Sequence, residues 1–213
     1  GKQIVELFSP DRFNERASTF DLEPGISFDL RLGHDISLPE VKEEIRKTVK
    51  ERRPLFVIGS PMCAKFSSLA NLAKDSPEYR QALRIALDHL IFVCEIYKLQ
   101  VEYGNLFIHE HPWTAKSWAL YMIREVLALP GVILARGDQC PFGSCGEDLE
   151  GPALIRKDTG WMTNSVRVSS AVSRRCTNRD SPVHLHHRHC CLLGNWRNLR
   201  ASERYPPRLV AAI

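Results

Sequence analysis

Residues 55–68, LFVIGSPMCAKFSS, decide how the rest of the chain is read. Residues 55–58 form a short apolar run, 59–61 interrupt it with Gly and Pro, and Cys63 follows. An apolar run of this length bounded by turn residues reads as a buried strand, so Cys63 is expected just past its carboxyl end. A cysteine inside a core usually serves as a small hydrophobe. At the carboxyl end of a strand in an open parallel sheet, side chains instead reach the crevice where such folds hold ligands.

Working outward, QIVELF (3–8), ISFDL (26–30), NLFIHE (105–110) and VILA (132–135) give further strands. Between them lie helical patterns. Residues 38–51 carry Pro39 near the start and Val41, Ile45 and Val49 on one face. Residues 76–104 run from a Ser-Pro start to a Gly stop, and 114–129 are closed by Pro130-Gly131. Residues 9–20 read as a turn and short helix. Strands alternating with helices predict an α/β fold, with a Rossmann-like, doubly wound, mostly parallel sheet and helices on both faces. Past Gln139 the pattern weakens: 161–164 read as a strand, 165–175 as a helix, and the rest as an irregular part rich in His, Cys and Arg. The expectation is one domain over 1–213, with its core in 1–140 and a basic C-terminal part in 141–213.

Hydrophobic residues make up 44% of the 213 and charged residues 25%, as in ordinary globular domains. The sequence has no apolar run of membrane-spanning length, and residues 1–8 lack the charged and apolar regions of a signal peptide. The seven cysteines follow no framework spacing, which points to a reducing compartment. An intracellular protein, nuclear or cytoplasmic, with no membrane partner is expected. Residues 156–213 hold 11 Lys or Arg against 3 Asp or Glu, whereas the whole chain has a net charge of only +4. Two readings stand: an edge facing a polyanion, with Arg174 and Arg175 as phosphate contacts, or a solvated arginine-rich tail.

Asp29 ends the second strand, where Rossmann-like folds use an acid to bind a ribose. Gly33-His34-Asp35-Ile36 follows as a second acid-bearing turn. Both acids are also ordinary turn formers and caps, but together on adjacent loops they favour a nucleoside ligand. No glycine-rich loop follows the first strand, which argues against phosphate-bearing nucleotides, whose phosphates need backbone amides at close range. Cys140, Cys176, His184 and His186 suit a tetrahedral zinc site, although no Cys-x-x-Cys pair supports it.

Gly59-Ser60-Pro61-Met62-Cys63-Ala64-Lys65-Phe66-Ser67 resembles the Gly-Gly-Pro-Pro-Cys-Gln-Gly-Phe-Ser segment of the cytosine-5 DNA methyltransferases. Phe107-Ile108-His109-Glu110-His111-Pro112 is similar to that family's strand ending in Glu-Asn-Val or Glu-Asn-Pro. Glu6-Leu7-Phe8 resembles its first strand, Gly33-His34-Asp35-Ile36 its Gly-Asp-Ile turn, and, weakly, Tyr205-Pro206-Pro207 its closing motif. The resemblance spans roughly residues 3–140, and it implies a methyltransferase that uses S-adenosylmethionine on a nucleic acid, DNA rather than RNA. Cys63 would attack C6 of a flipped-out cytosine and Glu110 would bind its N3 and amine. Asp29 would hold the cofactor ribose, Asp35 and Ile36 the adenine, and Glu6, Phe8 and Ser9 the methionine side, with Gly59 and Pro61 also in the cofactor pocket. The chain departs from the family in lacking Gly-x-Gly-Gly after the first strand, in Met62 and Ala64 beside the cysteine, and in having no large target-recognition domain. The alternative is a catalytically degenerate domain of the same fold, kept to bind nucleic acid or protein, as within a mobile-element polyprotein.

Overall fold

Residues 4–7, 56–59 and 107–111 are buried on both faces, Glu6, His109, Glu110 and His111 included, and so form the middle of a sheet. The computed structural model describes residues 2–67, 76–178, 187–190, 192 and 195–213. The strands are β1 (Ile4–Leu7), β2 (Ser27–Phe28), β3 (Phe56–Gly59), β4 (Leu106–Pro112), β5 (Ile133–Asp138), β6 (Cys145–Asp148), β7 (Gly151–Leu154) and β8 (Asp158–Thr163). Six of them make one sheet in the order β2-β1-β3-β4-β8-β5, while β6 and β7 form a separate two-stranded hairpin. The pairs β1–β2, β1–β3 and β3–β4 are parallel, and β8 runs antiparallel to both β4 and β5.

The antiparallel β8 has a simple cause. β5 delivers the chain to the carboxyl edge of the sheet, and the β6–β7 hairpin spends its residues at that edge. No crossover helix carries the chain back, so the next strand must run in reverse. The boundary expected near residue 140 is therefore not where the sheet ends, because 158–163 lie between β4 and β5.

Strand alternation divides the core into two layers. Val5, Leu7, Val57 and Phe107 face one cluster, together with α1 (Pro39–Arg52), α2 (Pro77–Glu102) and α3 (Tyr121–Leu127). Ile4, Ile58, Ile108 and Trp161 face the other, with a 3-10 helix (Asn14–Phe20), α4 (Val166–Val172) and α6 (Pro207–Val210). Helices thus cover both faces of a mostly parallel sheet, as the alternation predicted. The remaining helix, α5 (Trp196–Ser202), packs on the hairpin, where Asn198 Oδ1 accepts from the Glu147 N–H at 3.0 Å.

Local chemistry sets the boundaries. Pro39 opens α1, and its Ile45 and Val49 are fully buried. Ser76 caps α2 by accepting from the Tyr79 N–H at 3.0 Å, with Pro77 in the first turn. The helix expected over 114–129 breaks in two: a 3-10 turn (Lys116–Ala119) precedes α3, with Leu120 extended between them. Ser117 is tied to His111 and the Trp118 indole donates to the Pro112 carbonyl at 2.8 Å, and these anchors outweigh helix propensity. Gly59 closes β3 because α2 lies against it; a Cβ there would sit 1.9 Å from the Tyr97 hydroxyl oxygen. Among the described residues no helix is long and apolar enough to cross a membrane.

Candidate active site

β1 connects to β2 on one side, and β3 leads to β4 on the other, so the chain reverses its direction across the sheet between β1 and β3. Open α/β sheets bind ligands outside the carboxyl ends of the strands at such a point. A cavity of about 560 Å³ lies there, within the range of small-molecule sites. Phe8, Asp29, Asp35, Ile36, Pro61, Cys63 and Glu110 all line it. Of the expected residues, Glu6, Ser9 and Gly59 do not.

Cys63 is half-buried on the loop after β3. Burial pushes its thiol above the ordinary range, the Glu110 carboxylate adds to this, and the Lys157 ammonium opposes it. Glu110 projects from β4 and is nearly buried, with Lys157 Nζ 3.2 Å from Oε1. The Tyr205 hydroxyl donates to Glu110 Oε2 at 3.4 Å and lies 2.6 Å from Ser60 Oγ. A tyrosine near the C-terminus thereby ties the cysteine loop to the acid. The loop is also held from below: His111 Nε2 donates to the Pro61 carbonyl at 3.1 Å, and Nδ1 lies 2.6 Å from Ser117 Oγ.

At the other end of the cavity, Asp29 meets Arg31, with Nε 2.8 Å from Oδ1. Burial raises the Asp29 carboxyl, but the hydrogen bonds from Arg31 outweigh it and leave the group below its ordinary value. Asp35 accepts from the Ser37 N–H at 2.9 Å, which lowers its carboxyl. The Phe8 ring packs on His89, centroids 4.8 Å apart. Glu6, by contrast, is turned under the following loop. Its Oε1 accepts from the N–H groups of Arg12, Phe13 and Asn14 at 3.0, 2.9 and 2.9 Å, and Oε2 from Ser9 Oγ at 3.2 Å. Burial raises the Glu6 carboxyl despite those amides.

Two buried polar atoms on cavity residues have no hydrogen-bond partner: His34 Nδ1 and His89 Nδ1. Buried polar groups are ordinarily satisfied, so a polar ligand suits this site. Sequence reading missed Arg12, His89, Lys157, Glu203 and Tyr205 as lining residues. Only Tyr205 carried a signal, as part of Tyr-Pro-Pro; Lys157 and Glu203 follow no local pattern.

Tyr205 also lines a second groove, of about 550 Å³, with Trp196, Arg197, Arg200 and Arg204. Trp196 is exposed, and the Arg197 and Arg200 guanidinium carbons stand 5.5 and 5.7 Å from its ring centre. The arginines expected to face phosphate are engaged otherwise. Arg175 pairs with Asp138 and Asp158 at 3.4 and 3.0 Å, and Arg174 lies over the Phe142 ring.

Cys140, Cys176, His187 and His189 offer ligand atoms within 4.8 Å of one another, a Cys2His2 group that could hold a metal such as zinc. Two of the expected ligands are thus brought together, while His184 and His186 lie outside the described residues. His187 and His189, from the same His- and Cys-rich stretch, supply the other two: in extended chain, residues two apart share a side. Burial and the Cys176 thiol push the Cys140 thiol up.

Comparison with protein-family models, with curated proteins and with solved structures finds no match to this chain.

Proposed function

We propose that this chain is a methyltransferase of Rossmann-like, doubly wound fold that uses S-adenosylmethionine to methylate a nucleic-acid base, cytosine at C5, in the nucleus or cytoplasm. The observation that carries the reading is convergence. Phe8, Asp29, Asp35, Ile36, Pro61, Cys63 and Glu110 are scattered over more than a hundred residues of sequence, yet line one cavity at the switch point of the sheet. The unpartnered His34 and His89 nitrogens add hydrogen-bonding capacity at the end assigned to the nucleoside.

Phe8, Asp29, Asp35 and Ile36 would hold the cofactor, which would supply an electrophilic methyl group. Cytosine is too poor a carbon nucleophile to take it unaided, and Cys63 sulfur adds to C6 so that electron density builds at C5. Glu110 holds N3 and the exocyclic amine, sharing a proton with N3. As its sulfur adds to C6, the Cys63 thiol would give up its proton, by way of Glu110, to N3. Lys157 and Tyr205 hold Glu110 in place. Once C5 carried the methyl group, water in the cavity would take the C5 proton, the C6–S bond would break, and the N3 proton would return through Glu110 to the Cys63 sulfur. The flipped strand would lie along Trp196, Arg197, Arg200 and Arg204, beside the shared wall at Tyr205.

A second reading, a catalytically degenerate binding module, is favoured by one observation: Arg31 already occupies the Asp29 carboxylate. The test is a thermal-shift titration with S-adenosylmethionine and its demethylated product. A ligand at a hundredfold excess over its dissociation constant stabilises the fold by about 2.7 kcal/mol. Labelled methyl transfer to cytosine-containing DNA, lost in Cys63→Ala, would establish catalysis. Binding without transfer would leave the module reading, and no shift would remove the cofactor altogether.

A further inference from the structure

We propose that Cys140, Cys176, His187 and His189 form a structural zinc site that fastens the C-terminal segment to the sheet. A tetrahedral site with Zn–S of about 2.3 Å and Zn–N of about 2.05 Å requires S···N separations of about 3.5 Å. Cys176 Sγ lies 3.5 Å from both His187 Nε2 and His189 Nε2. The two imidazole nitrogens approach to 2.9 Å, somewhat inside the roughly 3.4 Å of two nitrogen ligands on one ion, so a small outward turn of one ring admits the metal. Four protein ligands leave no open position, which marks a structural rather than a hydrolytic centre. Two thiolates and one divalent ion also sum to zero charge, as suits Cys140 and Cys176 at 2% and 5% exposure.

The surroundings support the ligands. The Cys176 N–H donates to Asp138 Oδ2 at 2.8 Å, and Asn178 Nδ2 donates to the His187 carbonyl at 2.5 Å. Such outer contacts orient metal ligands. Cys140 follows β5 and Cys176 follows α4, whereas His187 and His189 belong to a segment stitched to β7. There the Leu154 N–H donates to the Arg188 carbonyl, and the Cys190 N–H to the Leu154 carbonyl, both at 3.0 Å. Arg188 also donates to Asp148 Oδ2 at 2.6 Å and to the Gly151 carbonyl at 2.7 Å, so the hairpin holds this segment and the metal would add an anchor to the sheet. An ion joining three distant parts of the sequence would fix the Tyr205 wall of the cavity.

Metal content of the full chain, purified under reducing conditions and loaded with zinc, should be one equivalent. Cobalt in its place should give visible bands of tetrahedral intensity and thiolate charge-transfer absorption for two sulfurs, a readout on the unaltered protein. Cys140→Ser, Cys176→Ser, His187→Asn and His189→Asn should each lose the metal, while His184→Asn, His186→Asn and Cys145→Ser keep it. Chelation should lower the melting temperature of the unaltered protein. Failure to bind zinc or cobalt, octahedral cobalt spectra, loss of metal on changing His184 or His186, or a Cys140–Cys176 disulfide in its place would overturn the assignment.

Discussion

Replacing His111 with glutamine tests how the cysteine loop is held, because the imidazole is fully buried between Ser117 Oγ and the Pro61 carbonyl. A carbonyl can only accept, so Nε2 carries the proton and Nδ1 accepts from the serine hydroxyl. Burial, opposed by the Glu110 carboxylate, pushes the imidazole pKa down to about 4. In the unfolded chain it is about 6.5. Below that pH the unfolded state takes up a proton that the folded state refuses. The contribution to stability is therefore whole above about pH 6.5 and is lost as the pH falls towards about 4. The full interval of about 2.5 pH units corresponds to about 3.4 kcal/mol, and the part between about pH 7.5 and pH 5 to about 2 kcal/mol. Glutamine offers the same donor and acceptor but does not titrate. Urea unfolding of both proteins at these two pH values gives a double difference in which the titrations of distant groups cancel. The native protein should lose about 2 kcal/mol more than His111→Gln over that range. Parallel losses would refute this account of the loop.

Tyr205→Phe removes the hydroxyl between Ser60 and Glu110, and should cost about 1 kcal/mol in urea unfolding. Unchanged stability would mean that this bridge is idle. Gly59→Ala drives a methyl against the Tyr97 hydroxyl and should cost about 1–3 kcal/mol, checked by thermal melting; a neutral result would mean that α2 can draw away from β3. Reversing charge at Arg197 and Arg200 should weaken DNA binding alike for all sequences, and lower the salt dependence by about 0.9 log units per lost phosphate contact. Fluorescence anisotropy at several salt concentrations measures this, and an unchanged slope would exclude these arginines as phosphate contacts.

The central strands were legible because their signals are local. The runs at 56–58 and 106–108 are apolar, so the positions of Cys63 and Glu110 beside the crevice followed from parallel-sheet geometry. The place of β8 was not legible. Its residues read as a strand, but its neighbours β4 and β5 are fixed by the route of the intervening hairpin, which no periodicity records. Lys157 and Tyr205 escaped for the same reason, since Tyr205 meets Ser60 across 145 residues of sequence. Arg175 misled because charge composition cannot tell a solvated guanidinium from one spent between Asp138 and Asp158.

The missing glycine loop has a physical counterpart at the end of β1. Phe8 takes φ of 60°, a left-handed turn natural to glycine and costly for a side chain, by about 1–3 kcal/mol. The turn survives, but its amides are not free for an anion. The Phe8 N–H donates to the Phe28 carbonyl at 2.8 Å. The N–H groups of Arg12, Phe13 and Asn14 all converge on Glu6, so a side chain of the protein already occupies the loop's anion-binding position. Asp35 and the Phe8 ring line the cavity beside that loop. A ligand without phosphate is suited to that wall, and a nucleoside triphosphate meets spent amides and a second carboxylate. Adenosine should therefore raise the melting temperature under conditions in which ATP, at equal concentration and without added metal, does not. A shift with ATP as large as that with adenosine would overturn this account of the loop, whatever reaction the cavity supports.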